Sequence, residues 1–180
     1  MYRQVRPKED EELIQRAIEF LIKNYKKSGH NPKPVVIHSI RVAMYLYFSG
    51  ADTNVVVAAA LHDLLEDTRV TSEQITDEFG KKVTELVEAN SFKSEIKDYT
   101  QQYLETFERN IAAGKNAVLI KAADLLDNSD YYKLSANDLQ QKLFEKFSKF
   151  VEISERVIGD TNIWFDIHDR LAELKKELSI

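Results

Sequence analysis

One short stretch of the chain, ALHDLLEDT, combines an imidazole with three carboxylates. His62 follows a run of Val, Ala and Leu residues, and it is followed at once by Asp63 and then by Glu66 and Asp67. Burying such groups is costly unless hydrogen bonds or a cation compensate, so the cluster needs a partner. A divalent cation is one such partner, and the alternative is a helix end whose acids are hydrated. Acids at a helix C-terminus oppose the helix dipole, which favours the cation.

Two other residues could contribute to a metal site. His38 lies on an apolar stripe of a predicted helix, a setting that is more typical of a core histidine than of a ligand when it occurs alone. Asp124 lies within the apolar segment AVLIKAADLLDN, and its alternative is an ion pair with Lys121 at i,i+3 spacing. Asp124, Asp127 and Asn128 can share one helix face.

The composition limits the ligands and the partners. The chain has no Cys, so a metal must be held by nitrogen and oxygen, and a reducing cytoplasm is the expected location. The net charge of −5 argues against a general nucleic-acid binder, although cations gathered at a site could still hold an anionic substrate. No signal peptide and no apolar run long enough for a membrane span is visible, so no membrane partner is expected.

An all-α fold in one domain, residues 1–180, is the expected architecture. Only 5 Gly and 3 Pro occur in 180 residues, too few turn formers for a fold of many short strands. A strand is the competing interpretation for the valine-rich segment before His62. Apolar spacing predicts helices over 7–25, 35–48, 55–67, 72–79, 81–90, 98–113, 117–132, 138–158 and 163–178, with stops at Gly80 and Gly114.

The order of these motifs resembles a known family. His38, His62-Asp63 and Asp124 resemble the His…His-Asp…Asp signature of HD-domain metal-dependent phosphohydrolases. The segments KKSG, LHDLLEDT, ITDEFGKKVTELVEA and LIKAADLLDN are similar, in order and spacing, to the hydrolase domain of RelA/SpoT-type guanosine 3′,5′-bis-pyrophosphate hydrolases. The resemblance covers about residues 8–135, and residues 136–180 are expected to form C-terminal helices that pack on this domain.

The resemblance implies a metal site and a catalytic pair. His38, His62, Asp63 and Asp124 would bind one divalent ion, Mn²⁺ or another such as Mg²⁺ or Fe²⁺, for which imidazole and carboxylate ligands are suited. Glu66 and Asp67 would orient or deprotonate the attacking water.

The resemblance also implies substrate-binding residues: Lys26, Lys27, Arg41, Ser91 and Asn128. Two of these have ordinary alternatives, because Arg41 could be a surface residue and Ser91 a helix-end hydroxyl. Leu125 stands where the family has Arg, so one cation is missing from the expected site and the substrate is left open.

The predicted function is metal-dependent hydrolysis of a phosphoester or pyrophosphate bond in a small nucleotide, namely removal of the 3′-pyrophosphate from (p)ppGpp. The alternatives are an HD phosphohydrolase with another nucleotide or phosphoester as substrate, and a non-catalytic HD domain that binds nucleotide. The Glu/Lys-rich final segment, LAELKKELSI, is either a solvated face or the contact of a homodimer.

Overall fold

The computed structural model describes residues 6–25 and 34–179. Within these ranges the regular elements are α-helices and one short 3₁₀ helix, with no β-strand, which confirms the all-α prediction. The chain divides after Phe92 into two compact units, and each is described separately. The prediction of a single domain remains a prediction.

In its described residues, 6–25 and 34–92, the first unit contains six helices: α1 (Lys8–Tyr25), α2 (Val35–Phe48), α3 (Thr53–Leu61), α4 (Leu64–Asp67), α5 (Ser72–Phe79) and α6 (Lys81–Asn90). Their limits agree with the predicted ones to within about two residues, apart from the region around His62. This agreement follows from the strong apolar periodicity of α1, α5 and α6, whose polar faces remain exposed.

Helix α3 lies at the centre of the first unit and packs against α1, α2 and α6. All residues from Val55 to Leu61 are fully buried, so the helix is surrounded on every side. Each valine is at most ~0.7 kcal/mol less favourable in a helix than alanine. Burying its side chain contributes ~1.5–3 kcal/mol to the stability of the folded state. Packing therefore outweighs β-propensity, and the strand interpretation is wrong.

The predicted helix over 55–67 is interrupted at the functional residues. Helix α3 ends at Leu61 and α4 begins at Leu64, with His62 and Asp63 in the turn between them. Asp63 has φ −90° and ψ −6°, far from the helical ψ of about −42°. His62 keeps helical dihedral angles, with φ −58° and ψ −32°, so the departure from the regular helix begins at Asp63.

Backbone chemistry explains the joint between α5 and α6. The Thr71 hydroxyl accepts from the Gln74 backbone N–H while the Gln74 side chain accepts from the Thr71 N–H, a capping box that starts α5. Gly80 has φ +83°, a conformation that L side chains rarely adopt, and it ends α5 as predicted.

Over residues 93–179, the part that the structure describes, the second unit contains four α-helices and the 3₁₀ helix: α7 (Tyr99–Ala113), α8 (Lys115–Ser129), the 3₁₀ helix (Tyr132–Leu134), α9 (Asn137–Ile158) and α10 (Asn162–Glu177). Helix α8 packs against α7, α9 and α10, and buried aromatic rings of Phe107 and Phe150 meet at 4.9 Å. The predicted helix over 117–132 is too long at its C-terminus, because a turn after Ser129 leads into the 3₁₀ helix. Among the described residues, no helix combines the length and the apolar character needed to cross a membrane.

Candidate metal centre and its acidic residues

Two buried imidazoles lie side by side in the first unit. His38 projects from α2 and His62 follows the last residue of α3, and their ring centroids are 5.2 Å apart. Both rings are almost completely shielded from solvent. The packing of α2 on α3 brings these residues together, although 24 positions separate them in the sequence. The structure therefore places His38 beside His62, as the motif spacing had suggested.

Hydrogen bonding fixes the tautomer of His62. Its Nδ1 lies 2.8 Å from the carbonyl oxygen of Ala59, one of the terminal acceptors of α3. Because a carbonyl oxygen only accepts, Nδ1 carries the proton. In the neutral ring, Nε2 therefore presents its lone pair, which is the form of imidazole that binds a metal.

Asp63 faces both imidazoles. Its Oδ1 lies 3.1 Å from Nε2 of His62, and its Oδ2 lies 3.7 Å from Nε2 of His38. A carboxylate opposite an imidazole lone pair is repulsive unless a proton or a cation lies between them. Two nitrogen donors and a carboxylate are also the ligand types of Mn²⁺, Fe²⁺ and related ions. This His-His-Asp cluster fits a divalent cation.

In each of the two predicted catalytic acids, one carboxylate oxygen accepts a hydrogen bond from another residue. Oε1 of Glu66 accepts from the backbone N–H of Phe92 at 2.8 Å, and Oδ2 of Asp67 accepts from the phenol of Tyr25 at 2.9 Å. Glu66 is exposed and Asp67 is half-buried. Both acids lie in α4, immediately after the turn that carries His62 and Asp63. The carboxylates are thus oriented near the imidazole cluster.

Tyr25 is a functional candidate that the sequence did not reveal. It is the last residue of α1 and lies 42 positions before Asp67. Burial raises the pKa of its phenol far above the ordinary value, and the negative charges of Asp63, Asp67 and Glu66 raise it further. The only available signal was its position immediately before the KKSG segment, and this gave no indication of the partner.

Asp124 belongs to α8 in the second unit, where it is bound on both oxygens. Its Oδ2 lies 3.1 Å from Nζ of Lys121, and its Oδ1 accepts from the side-chain amide of Asn128. The side chains of Lys121 and Asp124 are only 6% and 8% exposed. The i,i+3 ion pair considered from the sequence therefore exists, but it is buried, a setting in which an unpaired charge is expensive.

Two tyrosines of the second unit respond to the same carboxylate. Burial raises the pKa of Tyr99 to about 12, and the neighbouring Tyr103 and Asp124 contribute to this shift. Complete burial also raises the pKa of Tyr132 well above its usual range, with Tyr99 and Asp124 as secondary causes. The phenols of Tyr99 and Tyr132 near Asp124 therefore remain protonated.

The predicted substrate residues differ in burial and in hydrogen-bond partners. Ser91 is buried at the end of α6, and its hydroxyl donates to the Val87 carbonyl oxygen at 2.9 Å, so it has the helix-end role considered from the sequence. Arg41 is exposed on α2, one turn after His38. Asn128 orients Asp124, a contact that the sequence analysis did not anticipate. Lys26 and Lys27 lie outside the described residues.

Leu125, which stands where the family has Arg, supplies no positive charge. Its side chain is 1% exposed and belongs to the packed face of α8. The position therefore serves the core of the second unit in this chain.

Comparison with known proteins identifies the family. A family model described as "HD domain" matches residues 14–151, more than half of the chain. The chain belongs to the HD domain family. This confirms the family resemblance seen in the sequence.

Curated relatives of this HD domain include guanosine-3′,5′-bis(diphosphate) 3′-pyrophosphohydrolases. The protein of that name from Aquifex aeolicus is 38% identical over 65% of this chain and 17% of its own length. A probable enzyme of the same name from Mycoplasma pneumoniae is 30% identical over 90% of this chain and 23% of its own length. The chain thus spans about a fifth of the length of these relatives.

Solved structures show the same fold as this HD domain. A structure described as a metazoan ortholog of SpoT that hydrolyzes ppGpp has a TM-score of 0.76 and 20% identity, covering 97% of this chain and 98% of the other. The protein lmo0812 from Listeria monocytogenes has a TM-score of 0.66 and 23% identity, covering 77% and 94%. At these identities the similarity establishes the all-α HD fold.

Proposed function

We propose that this HD domain is a metal-dependent phosphohydrolase that removes the 3′-pyrophosphate from (p)ppGpp. The observation that carries the proposal is the cluster of His38, His62 and Asp63, which offers nitrogen and oxygen ligands directly before the acids of α4. The names of the curated relatives supply the substrate class. The proposed setting is the cytoplasm, with a nucleotide as the partner rather than nucleic acid or a membrane.

The proposed metal ligands are His38, His62, Asp63 and Asp124. The first three rest on the geometry of the first unit, whereas Asp124 rests on the family motif and on its buried carboxylate. Mn²⁺ is the proposed ion, with Mg²⁺ or Fe²⁺ as alternatives, because the donors are imidazoles and carboxylates without a thiolate. When bound, the ion lowers the pKa of a water and offsets the negative charge that develops on the phosphoryl oxygens.

Glu66 and Asp67 are proposed to orient and deprotonate the attacking water. The water oxygen bonds to the phosphorus attached to the ribose 3′ oxygen, and the bond between that phosphorus and the 3′ oxygen breaks. One carboxylate takes the proton of the water, and a proton from solvent completes the 3′ hydroxyl as pyrophosphate leaves. The hydrogen bonds from Phe92 and Tyr25 support these roles because they hold one oxygen of each acid in place.

Lys26, Lys27, Arg41, Ser91 and Asn128 remain the proposed contacts to substrate. Ser91 and Asn128 already donate to Val87 and Asp124, so both must change or share these hydrogen bonds to bind a phosphate or a base. Since the chain is acidic and Leu125 is buried, a bound ion would supply a large share of the attraction for an anionic substrate.

A less charged substrate is the second candidate. The buried Leu125 removes a cation that a highly anionic alarmone would use, which favours a nucleotide or phosphoester with fewer phosphates. A non-catalytic nucleotide-binding domain is the third alternative, and it predicts binding without turnover.

The deciding experiment measures pyrophosphate and GDP released from ppGpp by the purified chain with Mn²⁺, alongside nucleoside mono-, di- and triphosphates. His62→Ala and Asp63→Ala should abolish turnover, whereas His168→Ala replaces an exposed imidazole in α10 and should leave it unchanged. Release from ppGpp that requires His62 and Asp63 supports the proposal. Turnover of monophosphates without ppGpp cleavage would favour the second candidate, and nucleotide binding without any turnover would favour the third.

A further inference from the structure

The phenol of Tyr25 lies among the three carboxylates that follow His62. Its hydroxyl donates to Oδ2 of Asp67 at 2.9 Å, and Asp63 and Glu66 are the other acids whose charge acts on it. Tyr25 is 8% exposed at the end of α1, a helix that packs against both α3 and α4. The hydrogen bond therefore joins the two helices at the residue proposed to act on water.

We infer that Tyr25 is a positioning residue that holds Asp67 by Oδ2, so that Oδ1 is the oxygen that accepts a proton from the attacking water. The inference rests on the proposed function, because it assigns Tyr25 to the same hydrolytic step. It concerns the orientation of a carboxylate and requires no contact between Tyr25 and the substrate.

Physical chemistry supports this role. A phenol with a raised pKa remains a hydrogen-bond donor at every pH at which a hydrolase of this type would act, so it cannot remove the proton itself. A carboxylate with one occupied oxygen loses rotational freedom about its terminal torsion, which is otherwise broad. Misplacing a catalytic group by about 1 Å can lower the rate about 100-fold, so this restraint has a direct effect on kcat.

The first unit contains a matched control for the loss of such a bond. Tyr47 is also 8% exposed, and its hydroxyl donates to the carboxylate of Glu11. It joins α2 to α1 in the same way that Tyr25 joins α1 to α4. Tyr25→Phe and Tyr47→Phe each remove one hydroxyl that is bound to a carboxylate, and only the first touches a proposed catalytic acid.

The test compares these two variants with the unmodified chain, loaded with saturating Mn²⁺ and assayed for pyrophosphate release from ppGpp. Tyr25→Phe should lower kcat about ten-fold, as removal of a group that orients an active-site ligand usually does. KM and the Kd for Mn²⁺ should change by less than about two-fold, because neither substrate nor metal loses a contact. Tyr47→Phe should lower thermal stability to a similar extent and leave kcat unchanged.

A double-mutant cycle with Asp67→Asn separates positioning from general stability. If Tyr25 acts through Asp67, Tyr25→Phe lowers kcat much less in the Asp67→Asn background than in the unmodified chain, whereas a structural effect would be additive. If Asp67→Asn leaves no measurable turnover, the separation of kcat from KM and the comparison with Tyr47→Phe decide.

The outcomes distinguish this inference from the proposed function. An active chain whose Tyr25→Phe variant retains the full kcat would overturn the role of Tyr25 and leave the proposed function intact. Equal loss of kcat in Tyr25→Phe and Tyr47→Phe would also overturn it. A chain that releases pyrophosphate from no nucleotide would overturn the proposed function, and the role of Tyr25 with it.

Discussion

Nε2 of His62 lies 3.1 Å from Oδ1 of Asp63, on the side of the ring opposite to the Nδ1–H that donates to Ala59. The backbone of α3 thus selects the tautomer, and the turn after α3 brings a carboxylate to the lone pair. Two electron-rich atoms at this distance are stabilised by a shared cation. The end of α3 and the turn after it thus place one nitrogen and one carboxylate of the proposed metal site next to each other.

Replacing Asp63 should abolish tight metal binding. Asp63→Asn retains the shape of the side chain but removes its negative charge, so the affinity for Mn²⁺ should fall by more than about 100-fold, beyond the usual effect of an outer residue. Isothermal titration with Mn²⁺ measures this. Asp52→Asn is a suitable control, because Asp52 is an exposed aspartate that caps α3 in the same unit. Similar Kd values for Asp63→Asn and the unmodified chain would contradict the metal assignment.

The buried pair of Lys121 and Asp124 should be strongly coupled in its effect on stability. Lys121→Met leaves the Asp124 carboxylate buried without its cation, which should lower the free energy of unfolding by about 3 kcal/mol. The double variant Lys121→Met/Asp124→Asn removes both charges and should recover most of that loss. Urea denaturation in the presence of a chelator measures both effects. A single variant as stable as the unmodified chain would show that the pair is solvated.

Asn128 should influence metal binding through Asp124. Its amide donates to Oδ1 of Asp124, so Asn128→Ala should weaken Mn²⁺ binding about ten-fold if Asp124 is a ligand. The same variant should raise KM if Asn128 also contacts the nucleotide. Metal titration and steady-state kinetics separate the two roles. An unchanged Kd for Mn²⁺ together with a raised KM would assign Asn128 to the substrate alone.

Three of the eight tyrosines should resist alkaline ionisation in the folded chain. Burial raises the pKa of Tyr99 to about 12. Burial also raises the pKa values of Tyr25 and Tyr132 well above the ordinary tyrosine value. A raised folded pKa means that stability is fully present below the ordinary tyrosine value of about 10 and is lost as pH rises through the folded pKa. Tyrosinate absorbance should therefore rise in two stages, the second one coinciding with unfolding. A single stage centred near pH 10, with the fold intact, would contradict this.

The helices were largely predictable because their information is local. Periodic apolar residues predicted α1, α2, α5 and α6, and Gly80 and Gly114 marked two of the ends. The break between α3 and α4 was not predictable, since His62 and Asp63 both tolerate a helix and the change in ψ occurs at Asp63 without a Gly or Pro to signal it. The end of α8 at Ser129 was missed for a related reason, because apolar spacing continues into the 3₁₀ helix.

The residue types of the site were predictable from the sequence, whereas the hydrogen bonds that link them to distant residues were not. The family motif brought His38, His62 and Asp63 to attention, and the structure places these three together. The hydrogen bonds to the two proposed catalytic acids were missed, since Tyr25 and Phe92 lie 42 and 26 positions from their partners and depend on tertiary packing. The burial of Lys121 was also missed, because a lysine at i,i+3 from an aspartate is normally exposed.

The complete enclosure of α3 has a consequence for how this protein can change over evolution. Every residue from Val55 to Leu61 is fully buried, and the helix ends directly before His62. A larger or smaller side chain anywhere in this segment would shift the imidazole together with the core. The exposed position of Arg41, which we propose contacts the substrate, is therefore freer to vary than any position of α3 from Val55 onward.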